Sequence, residues 1–126
     1  MNSRNFDNLN EMVLECGGEY GLYHSKRLIK IIDAIAEDKS FNKDIIEFCS
    51  YTHDLGGYPK YMKENVDHAV RSREVVEPFV EQFNFSNEEK DVIFETISNH
   101  HNPISLKSIE AILLRDADAI DTLAGC

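Results

Sequence analysis

The sequence predicts an all-α fold, a single-domain bundle of about five to six helices over 126 residues. Three observations predict it. Apolar residues recur at spacings of three and four in several stretches, and no stretch alternates apolar and polar for long. Helix start and stop signals separate those stretches. No repeat, low-complexity tract or Pro/Gly/Ser linker divides the chain, and its length suits one core of ordinary size. The core is expected over about residues 22–124 of a domain spanning 1–126, either a short member of its class or a fragment.

Taken in order, residues 5–16 carry Phe6, Leu9, Met12 and Val13 on one side, and Gly17, Gly18 and Gly21 then break the pattern. A second helix over 22–37 carries Leu28, Ile31, Ile32 and Ile35, with His24 in its first turn. A third over 43–55 carries Ile45, Ile46, Phe48 and Cys49 and ends on Tyr51-Thr52-His53-Asp54-Leu55-Gly56-Gly57. Its stop is read as the glycine pair in a left-handed backbone. A loop with Pro59, Lys60 and Lys63 leads to a helix over 66–83, with Ala69, Val70, Val76, Val80 and Phe83 inward. His68 opens that helix, and Pro78 is expected to kink or break it near Glu77. Ser86-Asn87-Glu88-Glu89 fits a capping box, and the helix it starts runs through Val92, Ile93, Thr96 and Ile97 to His100-His101, stopped by Asn102-Pro103. A last helix over 105–123 turns Leu106, Ile109, Ile112, Leu113, Ala117 and Ile120 inward.

Composition excludes several classes. A formal charge of −10 and a pI near 4.8 oppose adhesion to nucleic-acid duplexes or anionic membranes, which need positive surface. Residues 1–10 lack the basic flank and apolar run of a secretory signal, and no apolar run is long enough to span a bilayer. Cys16, Cys49 and Cys126 are odd in number and show no CxxC spacing, so free thiols in a reducing cytoplasm are expected.

The histidines carry the chemistry. All five, His24, His53, His68, His100 and His101, fall at or near predicted helix ends, and Asp54 and Asp118 lie on segments whose neighbours point inward. A carboxylate in an apolar helix end is unfavourable unless paired or bound to a cation. Imidazole nitrogen with carboxylate oxygen is a ligand set for zinc, iron, manganese, nickel or cobalt, without the thiolates of a structural zinc site.

With these residues the chain resembles the HD-domain superfamily of metal-dependent phosphohydrolases. The likeness runs from Tyr23-His24-Ser25-Lys26-Arg27 through Thr52-His53-Asp54-Leu55-Gly56 to Arg115-Asp116-Ala117-Asp118-Ala119-Ile120-Asp121. It implies metal ligands at His24, His53, Asp54 and Asp118, with His68 and His100 completing a two-ion site, and His53 and Asp54 as the residues on which catalysis depends. The cofactor is then one or two divalent ions of Mn, Fe, Co, Ni or Zn. The partner is a small phosphorylated substrate of nucleotide type, hydrolysed by a metal-activated water. Arg27, Lys60, Arg71 and His101 are the candidate phosphate contacts, and Asp121 is placed to orient a ligand; Asp116 reads as a surface acid. Gly57 and Tyr58 stand where some relatives carry a lysine or a catalytic carboxylate. Gly57-Tyr58-Pro59 follows the His-Asp pair rather than the double histidine, so the cyclic-di-nucleotide-degrading branch is not assigned. Two other readings stay open: a di-iron oxygenase, which uses the same six ligands, and a non-catalytic metal-bound sensor.

Overall fold

The structure, a computed structural model, describes residues 5–99 and 106–124. Among them are five α-helices and no strand: α1 (Asp7–Ala36), α2 (Lys43–Thr52), α3 (His68–Gln82), α4 (Asn87–Ser98) and α5 (Ile109–Ala124). The expected all-α fold is therefore what forms. His100, His101, the Asn102-Pro103 stop and Cys126 lie outside the described residues.

Several boundaries differ from expectation, each for a local reason. The first two predicted helices are joined in α1, and the break shrinks to a kink at Gly18 (φ 68°, ψ −171°). That backbone favours glycine, so Gly18 supplies the bend while its neighbours stay helical. The His-Asp helix ends three residues early, at Thr52; His53 keeps helical angles and bonds its N–H to the Cys49 carbonyl. After Asp54 the chain makes one 3₁₀ turn, Leu55–Gly57.

Neither Gly56 nor Gly57 is left-handed, so the stop they were expected to provide does not occur. Gly56 is there for space instead: a Cβ would run into the Ser72 amide nitrogen and meet the His68 carbonyl oxygen at 2.5 Å. That absence lets the turn press directly onto the backbone of α3. Pro78 does not end α3, which runs unbroken to Gln82. Pro78 and Glu74, whose carbonyl loses its bond, are both exposed, so water can replace what the ring removes.

Three helix starts follow capping chemistry. Asn42 caps α2 through Ile45 N–H, Asp67 caps α3 through Ala69 and Val70 N–H, and Ser86 with Glu89 forms the expected capping box on α4. α1 packs on α2 and α5, while α4 packs on α3, α2 and α5. Phe48, fully buried, centres the core, with Phe6, Phe83 and Phe85 at ring-centroid distances of 6.1, 5.8 and 5.3 Å. Truncating such a ring typically costs about 3–5 kcal/mol, so this cluster anchors α2 about one and a half turns before His53. Two helix phases differ from expectation. Val70 and Ile120, expected inward, are 46% and 41% exposed, while Leu114 is fully buried. No described helix is long and apolar enough to cross a membrane.

Candidate metal centre

Three helix segments converge to place the charged groups. α1 contributes His24, the end of α2 contributes His53 and Asp54, and α5 contributes Asp118 and Asp121. One potential ligand atom from each of His24, His53 and Asp118 lies within 4.8 Å of the other two. His24 Nε2 is 3.3 Å from His53 Nε2 and 3.1 Å from Asp118 Oδ1. Asp54 Oδ2 flanks this group of three without joining it, at 3.1 Å from His53 Nε2 and 3.5 Å from His24 Nε2.

The outward nitrogens decide what the inward ones can do. His53 Nδ1 lies 3.0 Å from the Ser50 carbonyl oxygen, and His24 Nδ1 lies 2.6 Å from Asp121 Oδ2. Both partners are acceptors. The Asp121 carboxyl is held below its usual pKa by hydrogen bonds from Arg27, against burial, with His24 adding to the effect. Each Nδ1 therefore carries the ring's proton and donates it outward. In its neutral form each ring then turns a bare Nε2 lone pair toward the other and toward two carboxylates.

Acceptors facing acceptors at this range need a cation between them. Protons fill the gap when nothing else does. His24 is raised, chiefly by its hydrogen bond to Asp118 and in spite of burial. Burial works against charging His53, which is 1% exposed, yet the charge of Asp54 and the contacts with Asp118 outweigh it and push its pKa up to about 10. Asp118 is raised by burial but lowered more by the two histidines, ending well below the carboxylate range. Two imidazole nitrogens and two carboxylate oxygens, with no thiolate among them, fit a divalent transition metal, whose binding displaces those protons.

The other expected site residues fall differently. Asp121 reaches His24 as described, and Arg27 grips that same carboxylate with two bonds, Nε to Oδ1 at 2.7 Å and Nη2 to Oδ2 at 3.0 Å. His68 is exposed at the first position of α3, its Nδ1 3.1 Å from where a Gly57 Cβ would stand; it lies beside the turn after Asp54 and outside the tight group. Arg71 is held by the Tyr61 carbonyl and Glu74. Lys60 is exposed over the Tyr61 ring at 5.4 Å. Asp116 pairs with Arg115 at 3.2 Å. Sequence reasoning missed the Ser50 carbonyl. The last carbonyls of any helix lack partners within it, and that rule was the available signal for a histidine at the cap position.

An all-helical fold with a histidine-carboxylate cluster joining its first and last described helices is a recognisable class of metal-binding domain. The HD domain family matches residues 21–123, so the chain belongs to the HD-domain superfamily of metal-dependent phosphohydrolases. Among curated proteins it is 28% identical over 104 residues to a protein named Ribonuclease Y from Borrelia garinii subsp. bavariensis, a match covering 82% of this chain and 19% of that one. It is 29% identical over 105 residues to Ribonuclease Y of Fusobacterium nucleatum subsp. nucleatum, covering 82% of this chain and 18% of the relative. The chain thus spans less than a fifth of the length of these relatives. No solved structure matches significantly.

Proposed function

We propose that the protein is a metal-dependent phosphohydrolase acting on phosphate esters of nucleotide type, in which His24, His53, Asp54 and Asp118 hold one divalent ion and His68 with His100 add a second. One observation carries the reading: His24, His53 and Asp118 draw their acceptor atoms together, with Asp54 against both histidines, while Ser50 and Asp121 draw the histidine N–H groups outward. When bound, a divalent ion supplies Lewis acidity to a phosphoryl group and to an attacking water.

The chain's own residues do the rest. Ser50 and Asp121 fix the tautomers, so both Nε2 atoms stay available. Asp54, with 34% of its side chain exposed against 13%, 1% and 9% for His24, His53 and Asp118, stands on the open side and marks where substrate arrives. Arg27, 43% exposed, retains donors beyond the two given to Asp121, and with Lys60 supplies positive charge for a phosphate. Arg71 and His101 remain further candidates for that contact.

The relatives' name, Ribonuclease Y, puts the phosphodiester of RNA among the substrates to try. A chain of net charge −10 favours engaging one or two phosphates over tracking a long backbone. The test is metal analysis of purified protein followed by a screen of phosphomonoesters, cyclic nucleotides and short single-stranded oligoribonucleotides with Mn²⁺, Co²⁺ or Ni²⁺. Turnover that a chelator and Asp54→Asn both abolish is expected. Full metal loading without turnover of any substrate would overturn the proposal.

A further inference from the structure

The turn that follows Asp54 is gripped from two sides. On one side Gly56 N–H donates to Ser72 Oγ at 2.7 Å, and its missing side chain lets the backbone of α3 close on it. On the other side lies Tyr58, whose N–H bonds back to the Leu55 carbonyl at 3.2 Å and closes the turn. Its ring lies on α1 where Gly17 and Gly21 stand one turn apart. A Cβ on Gly17 would meet ring carbons at 2.6 to 2.9 Å, and one on Gly21 would meet the hydroxyl at 2.7 Å. Those two glycines therefore leave free the space that the ring occupies, and the kink at Gly18 falls between them. Three residues beyond Gly21 comes His24.

From this placement we infer that Tyr58 is a positioning residue for Asp54: seated between Gly17 and Gly21, its ring holds the Leu55–Gly57 turn against the helix that carries His24. The inference rests on the proposed ion site, since it concerns how two of its ligands keep their spacing. Burial and then the charge of Asp54 raise the Tyr58 hydroxyl well above its usual pKa, as expected of a neutral phenol lodged near that carboxylate. The arrangement accounts for three glycines that the pattern of the sequence marks only as a break. Gly18 takes the backbone angle, and Gly17 and Gly21 make room.

The test is a mutant cycle read by cobalt. Gly21→Ala, Tyr58→Phe, the double variant and Tyr58→Ala are titrated with Co²⁺ by calorimetry, with the visible absorption of the loaded protein and the melting temperature recorded alongside. Gly21→Ala drives a methyl into the hydroxyl, so Co²⁺ affinity is expected to fall about 10-fold or more, with a changed ligand-field spectrum. Adding Tyr58→Phe removes the clashing atom and leaves the nearest ring carbon at 3.2 Å, so most of the affinity and the original spectrum should return. Tyr58→Ala should lower affinity while the protein still melts cooperatively. Wild-type affinity and spectrum in Gly21→Ala, or a loss that Tyr58→Phe fails to relieve, overturns this inference alone. Failure of the wild-type protein to take up Co²⁺ overturns the ion site and this inference together.

Discussion

Two polar knots each tie three helices, and they are built on opposite principles. In the first, Asn42 at the start of α2 donates its N–H to Glu110 of α5 at 2.8 Å and its side-chain amide to Glu89 of α4 at 2.9 Å, while accepting from Ile45 N–H at 3.2 Å. Donors meet acceptors throughout, so that knot is complete as it stands. In the second, around His24, His53, Asp54 and Asp118, the donors point outward and the acceptors inward. Burial alone thus does not separate the two clusters. The orientation of the hydrogens does.

The comparison can be broken most severely at the open knot. Asp118→Asn is expected to bring metal content below detection by elemental analysis, while the protein remains helical by circular dichroism. Asp121→Asn keeps an acceptor for His24 but loses the charge gripped by Arg27, so metal affinity should fall by about 10–100-fold in calorimetry. Arg27→Ala should move it the same way by less. At the closed knot the readouts exchange places. Glu110→Ala leaves the Asn42 N–H without its partner, so unfolding free energy in urea should drop by about 1–3 kcal/mol with metal affinity unchanged.

Smaller effects sharpen the same contrast. Glu95 accepts from Lys107 N–H at 2.7 Å and from Ser108 N–H and Oγ at 3.2 and 2.8 Å, just ahead of α5. Burial raises its pKa, but those bonds outweigh it and set it below the ordinary 4.5. Because the folded pKa is the lower one, the contribution is full above about pH 4.5 and fades as pH falls through the folded value. Glu95→Ala should cost about 1 kcal/mol at pH 7, and the melting curves of variant and wild type should converge in acid. Asp116→Ala, which breaks an exposed pair with Arg115, should leave metal content unaltered and stability within about 0.5 kcal/mol.

Much of the fold was legible because helices write their own signals. Ser86 and Glu89 announced α4, and the spacing of Leu28 and Ile32 set the buried face of α1. What failed was phase and punctuation. One residue of helix turns a side chain through about 100°, enough to leave Ile120 exposed and bring Leu114 inside. Glycines at 17, 18, 21 and 56 read alike in a sequence, yet one bends the backbone and three make space for partners far along the chain. The same holds at the site. The family resemblance pointed to His24, His53 and Asp118, which the fold does bring together, whereas the bidentate grip of Arg27 on Asp121 joins residues 94 positions apart and leaves no local trace.

That separation has a bearing on how the protein comes into being. Asp121 binds His24 across 97 positions, so the cluster stays incomplete until α5 is in place, although His24, His53 and Asp54 meet within a far shorter stretch. Closing so large a loop carries an entropy cost that local helices never meet. A nascent chain emerging from the ribosome would expose its earlier helices well before it could capture an ion, and capture would then act as a clasp, adding stability in proportion to the logarithm of free metal.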